Sequence, residues 1–343
     1  MNLKVLSPVD KIAETANLIE AGADELYCGI LPEEWNYVAI SPNRRQEKEA
    51  SFRTFQELKE CVEIAHCYRV PVFLALNEHY YTQKQHPIVF NFVEKALTIG
   101  IDAFLIADLA LLLTLKEMNI TAELHVSTGG TTFNSACANF YQSLGASRIS
   151  LPRHLTIEEI RQIVEGAPGV KVEVFILNSK CPNVDGFCTF HHGLMEVAPR
   201  EFAKMYRNAC MLHYDIYVSS PLYSEEEMEK IAGERISGKR QHIWELVHID
   251  SRPCGACALP EFEEMGIESV KIVGRGNSTA KKITDVRFIK ASLDLLEREK
   301  PSREEYREVV KNLYRNTYGL PCRIYACYYP SIGFPNETKL TAV

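Results

Sequence analysis

Apolar positions in this chain fall into short runs that are apolar on both faces, separated by longer amphipathic stretches. The short runs lie at 4–6, 25–30, 72–76, 103–107, 123–127, 148–151, 172–177 and 269–273, and they predict eight strands. Helical patterns occupy 11–20, 55–66, 90–98, 110–118, 134–144 and 157–164. Strands apolar on both faces and alternating with helices are what a parallel sheet covered on both sides requires. Four segments share one grammar: AGADELYCG (21–29), IGIDAFLIA (99–107), LGASRISLP (144–152) and MGIESVKIV (265–273). In each, a glycine stands where a helix would stop, and the chain then re-enters the sheet at once. These glycines, Gly22, Gly100, Gly145 and Gly266, are separated by 78, 45 and 121 residues, near multiples of about 40, a length that βα units span. Thr54-x-x-Glu57 and Thr156-x-x-Glu159 fit capping boxes, and Asp10 and Asp108 read as N-caps.

Eight alternating units predict an α/β fold, a TIM-type (β/α)8 barrel in preference to an open doubly wound sheet. No GxGxxG follows the first strand, which weakens a dinucleotide-binding reading. The predicted barrel spans 1–300, with a helix and tail over 301–343. Between strands 7 and 8 it carries a long cysteine-bearing insertion at about 178–255. Insertions of that length inside a compact domain are usually functional.

In a barrel the active face lies where strands run into βα loops. Those positions are polar: Ser7, Cys28-Gly29, Asn77-Glu78-His79, Asp108, His125 with Ser127 and Thr128, Arg153-His154, Asn178 to Cys181, and Arg275 to Ser278. His125 and Arg275 are the candidates for chemistry. Asn77, Ser127, Thr128, Arg153 and Asn178 are the candidates for substrate contact.

Composition is ordinary for a globular chain: 343 residues, 46% hydrophobic and 24% charged. The net charge of −7 gives no general attraction to a phosphate backbone, so nucleic-acid binding would need a local basic patch. Arg44-Arg45 and Lys281-Lys282 read as solvated surface instead. The start MNLKVLSPVD lacks the basic and apolar regions of a signal peptide, and no window is long and apolar enough to span a bilayer. A cytoplasmic protein without a membrane segment is expected.

Eleven cysteines without an export signal suggest reduced thiols or metal ligands. Cys61, Cys67 and Cys137 fall in helical patterns, Cys28 could face the barrel mouth, and Cys322 and Cys327 form a pair that needs no function. The other five, Cys181, Cys188, Cys210, Cys254 and Cys257, lie in the insertion, with His191, His192 and His213 in reserve. Zinc and an iron–sulfur cluster fit them about equally. A redox C-x2-C lacks a thioredoxin-like context, and a thiol nucleophile lacks an evident histidine partner.

Several blocks make the chain recognisable. LSPVDKIAETANLIEAGADELYCG, HVSTGGTTFNSACANFYQSLGASRISLPRHLTIEEI, EVFILNSKCPNVDGFC and LPEFEEMGIESVKIVGR together cover most of 3–290 and resemble peptidase family U32, the collagenase-like proteins. The resemblance implies a [4Fe–4S] cluster held by Cys181, Cys188, Cys210 of YRNAC, and Cys254, five residues before Leu259 of LPEF. Cys257 is the alternate fourth ligand and zinc the other metal. It also implies an oxygen-independent hydroxylase of a small aromatic or related substrate, since characterised relatives hydroxylate a quinone precursor or a base in RNA. Some of these take the oxygen atom from prephenate. RNA-acting relatives carry extra sequence after the barrel, and this chain is acidic, so a small-molecule substrate is expected and nucleic acid is not. A homo- or hetero-oligomer with a related protein is a further expectation.

Three departures from the family pattern stand out. HxSTQ reads His125-Val-Ser-Thr-Gly129, KIEGR reads Lys271-Ile-Val273-Gly-Arg275, and the family's NRGxCxQPCRW is reduced to YRNACMLHY. They keep two other readings open: a non-catalytic partner subunit with a structural or sensory cluster, and the peptidase of the family's name. Against the peptidase, no Ser-His-Asp or His-Glu-x-x-His pattern is evident.

Overall fold

In the computed structural model, the structure describes residues 3–35, 42–45, 48–181, 183–188 and 252–335, with 224, 226, 227 and 230 between them. Eight parallel strands close into a barrel in sequence order: β1 Lys4–Pro8, β2 Glu25–Cys28, β3 Val72–Leu76, β4 Ala103–Ile106, β5 Glu123–Val126, β6 Arg148–Ser150, β7 Lys171–Leu177 and β8 Ser269–Ile272. The ring shuts where Lys4 pairs with Ser269 and Leu6 with Lys271. This is the TIM-type barrel expected from the alternating pattern.

Helices α1 Thr15–Glu20, α2 Phe55–Cys67, α3 His86–Ile99, α4 Leu109–Glu117, α5 Ser135–Ser143, α6 Ile157–Gly166, α7 Leu259–Met265 and α8 Thr279–Glu299 pack outside. Outward strand residues such as Val5, Leu26, Leu74 and Val270 form one large core with the helices. The inward residues Leu6, Tyr27, Phe73, Ala75, Ala103 and Leu105 form a second, smaller core inside the ring. A last helix, α9 Arg303–Tyr318, is followed by a single-turn α10, Pro330–Gly333. The segment between them folds back to the barrel, where Cys254 bridges both Leu177 and Cys327.

Local signals act largely as the sequence suggests. Thr54 with Glu57 and Thr156 with Glu159 form complete capping boxes, and the Asp108 carboxylate accepts from Leu111 N–H. Gly100 and Gly266 end their helices in the left-handed conformation.

Asp10 is a correction. The short 3-10 turn after β1 has no side-chain cap; the Asp10 carboxylate instead accepts from Gly276 N–H at 2.7 Å and from Lys282 Nζ at 2.5 Å. Lys282 is fully buried and also bonds Glu14 Oε1 at 2.5 Å, so Lys281-Lys282 is not a solvated surface pair. A buried ammonium must be paired, and that demand overrides a local cap. Lys281 reaches Asp285 at 2.8 Å and Asn178 Oδ1 at 2.9 Å. Among the described residues no helix is long and apolar enough to cross a membrane.

Candidate active site at the barrel mouth

The inward faces of the strands set up a polar interior under the C-terminal end of the ring. Side chains two apart share a face, so Glu173 and Phe175 on β7 point inward with Lys271 on β8 and Val273 just past its end. At the base, Arg148 holds Glu25 with two hydrogen bonds, at 2.6 and 2.9 Å, both side chains being buried. Above it, Glu173 accepts from Lys271 Nζ at 2.8 Å and from the Ser150 hydroxyl. Burial opposes ionisation of Glu173, but Lys271 and Arg148 outweigh it and hold the carboxyl below its usual range. Burial pulls the Lys271 ammonium down, with Arg275 and Arg148 acting in the same direction. The Lys271 ammonium also lies over the Tyr27 ring, 4.5 Å from its centroid.

Over this floor a cavity opens to solvent at the C-terminal end of the strands. Tyr27, Phe175 and Leu105 form apolar wall, while Asn77, Ser127, Thr128 and Ser150 add neutral polar groups. Five cations line it: Arg44, Arg45, Arg153, Lys271 and Arg275. Arg153 is built in, with Nε and Nη2 on the two oxygens of Asp185 at 2.9 and 2.7 Å and its guanidinium 4.8 Å from the Phe175 centroid. Burial of Asp185 is outweighed by Arg153, which keeps the carboxyl below its ordinary range.

The placement of Arg44 and Arg45 corrects their reading as solvated surface. Arg275 Nη2 donates to Asn43 O at 2.7 Å, Asn43 Nδ2 donates to Ile30 O at 2.9 Å, and Tyr81 Oη donates to Pro42 O at 2.7 Å. These contacts pull the arginine pair over the mouth, and each comes from far along the chain or across a loop. The structure thus supplies a local basic patch on an acidic chain.

Of the residues expected from sequence, Asn77, Ser127, Thr128, Arg153 and Arg275 converge on this cavity, with Asn77 Nδ2 donating to Ser127 Oγ at 3.2 Å. His125 does not line it. The ring is 1% exposed, bonds Glu123 at 2.8 Å toward the strand's start, and packs edge-on against Phe73. Burial lowers its pKa, so it is neutral at neutral pH. Asn178 also stays below the surface. Its amide donates to Val273 O and Asp285, and its backbone adopts φ 65°, turning the chain out of β7. Cys28 faces the helix layer rather than the mouth, because its neighbour Tyr27 takes the inward position.

The family's glutamine position explains itself sterically. A Cβ on Gly129 would stand 2.6 Å from the Ala107 Cβ and 3.2 Å from His79 Nδ1. The His79 ring occupies that side, and burial with Arg44 nearby pulls its pKa down to about 4. Lys271, Glu173, Tyr27 and Phe175 were not among the sequence candidates. For Glu173 and Lys271 the signal was a charged residue at an inward position of an otherwise apolar strand.

Four of the five cysteines of the insertion lie among the described residues. Cys181 has Cys188 as its thiol neighbour, whereas Cys254 faces Cys257, Cys322 and Cys327. Cys210, His191, His192 and His213 lie outside the described residues. Burial raises the pKa of the Cys254 thiol well above its ordinary value and that of Cys257 to about 12, so neither is a poised nucleophile.

Several known proteins are similar to this chain in sequence. The chain is 24% identical over 219 residues to "tRNA hydroxylation protein P" of Helicobacter pylori, covering 64% of this chain and 49% of that one. It is 28% identical over 191 residues to a 23S rRNA 5-hydroxycytidine synthase of Escherichia coli, covering 55% and 26%. A protein named "Collagenase" from Porphyromonas gingivalis matches at 27% over 197 residues, covering 54% and 44%. The chain therefore spans about half the length, or less, of these relatives. Two of them carry names that refer to RNA. The model of peptidase family U32 matches residues 10–329, and the chain belongs to that family.

Proposed function

We propose that the barrel mouth hydroxylates an aromatic ring, a base in RNA, with an oxygen donor that carries carboxylates. The observation carrying this reading is the ring of five cations around a cavity with aromatic walls, at the C-terminal end of the strands. Such an opening suits a flipped, stacked base and the anionic groups that accompany it. Lys271, beside Tyr27 at the floor, holds a donor carboxylate, and Arg275 at the rim holds either a second carboxylate or a phosphate. Neutral Asn77, Ser127 and Ser150 give hydrogen bonds that orient the ring without adding charge. The RNA-related names of two relatives support the same reading.

Hydrolysis has less support. The hydrogen bonds of the described histidines run to Asp102, to Glu123, to the Cys181 carbonyl and to the Gly129 backbone, not to a serine hydroxyl or a thiol. A non-catalytic partner role would suit an occluded mouth, and among the described residues the mouth is open. The test is anion binding. Arg275→Gln is expected to weaken binding of a dicarboxylate such as malonate at least tenfold, in line with about 1.5–3 kcal/mol for a charge-assisted hydrogen bond. Calorimetry with the full chain measures this, and an unchanged affinity would remove the cavity from the account.

A further inference from the structure

The most exposed large apolar side chain among the described residues is Phe187, at 67%. Its ring does not hang free. It stacks on Phe133 at a centroid distance of 5.7 Å with 22° between the planes, and Phe133 packs in turn against the core. One face of Phe187 is thus backed by the protein, while the other is left to water. Phe187 N–H donates to Val184 O at 3.2 Å, closing the turn that presents the ring.

That turn is built onto the wall of the mouth. Asp185 accepts from the Arg153 backbone N–H at 2.9 Å as well as from its guanidinium. Gly186, at φ 84°, lies against the loop after β5, where a Cβ would stand 2.1 Å from Thr131 Cγ2 and 3.0 Å from Thr128 O. Arg153 and Thr128 both line the cavity. Phe187 is two residues past Asp185, so their Cα atoms are at most about 7 Å apart. A single exposed apolar residue needs no explanation. A ring stacked on a second ring, and pinned by a carboxylate and a glycine beside a cation-lined cavity, is a built surface.

The shape and charge of this surface select its occupant. A flat aromatic face suits another flat ring, and every nucleic-acid base has one, so stacking holds a nucleotide whatever its sequence. The cations at the mouth suit the phosphates that accompany such a base, whereas an apolar side chain or acyl chain would have no use for them. We propose that Phe187, backed by Phe133, stacks the base next to the one that enters the mouth, in single-stranded RNA. This rests on the reading of the mouth as a site for an RNA base, and adds a second nucleotide outside the cavity.

The experiment titrates the full chain with a labelled single-stranded oligouridylate, by fluorescence anisotropy at fixed salt, and with malonate by calorimetry. Phe187→Ala is expected to weaken the oligonucleotide roughly 5- to 150-fold, the range for one lost base–aromatic stack, and to leave malonate unchanged. Phe187→Leu keeps apolar bulk without a ring and should bind as weakly, whereas Phe187→Trp should bind at least as tightly as the native chain. Native affinity in Phe187→Ala or Phe187→Leu would overturn the proposal. A parallel loss of malonate in Phe187→Ala would make the ring a prop for Arg153 and overturn it too. Oligonucleotide binding that falls with Arg275→Gln but not with Phe187→Ala would remove the platform and keep the mouth. A native chain that binds malonate and no oligonucleotide would remove both. The added emission of Phe187→Trp should be that of an exposed indole, quenched by the oligonucleotide. Buried emission in the free chain would give this face to another segment or a second copy, and overturn the proposal.

Discussion

Replacing Glu25 by alanine is expected to lower the unfolding free energy by about 3–5 kcal/mol, read as a lower urea midpoint at unchanged slope. Arg148 is 3% exposed inside the ring and depends on Glu25 for two short hydrogen bonds. Without them its guanidinium would be left with the neutral Ser269 hydroxyl at 3.3 Å and with Glu173 at 3.9 Å and Glu268 at 3.6 Å, contacts too weak to replace what was lost. The loss reflects an unpaired buried charge rather than the worth of the pair, so Glu25→Ala with Arg148→Met should recover much of it. A single-variant loss under about 1 kcal/mol would show that water reaches the base of the barrel.

The second large effect falls on activity. Lys271→Met is expected to reduce hydroxylation on the order of 10²–10³-fold, the scale for removing one preorganised electrostatic contact from a reacting centre. Stability falls as well, since Glu173 loses its 2.8 Å partner in a fully buried site. Adding Glu173→Gln separates the two effects. The double variant should regain stability, having no buried charge to compensate, and remain inactive. Recovery of activity together with stability would make Lys271 a structural cation only.

The barrel was legible because its signals are local and repeated. Gly100 and Gly266 stop helices, Thr54 and Thr156 cap them, and apolar runs mark the strands. Much of the mouth was legible too, as Asn77, Ser127, Thr128, Arg153 and Arg275 sit where βα loops begin. What escaped depends on contacts made far along the chain. Arg44 and Arg45 reach the mouth through Arg275, 232 residues away from Asn43. Lys282 looks like half of a surface pair until Asp10 and Glu14 close around it. Asp10 fits a cap by residue type, and only tertiary packing shows that its carboxylate is used elsewhere. His125 shares the inward face with cavity residues, yet its ring turns down toward Glu123, a rotamer choice that strand periodicity does not reveal. Cys327 comes into register with Cys254 only when the tail folds back to pair with it.

The most direct test of hydroxylation at the barrel mouth is the nucleoside composition of RNA from cells grown without oxygen, with and without this chain, read by mass spectrometry. The account predicts a nucleoside heavier by one oxygen atom that appears with the native chain and is absent with Lys271→Met/Glu173→Gln. Identical nucleosides in all three samples would contradict it.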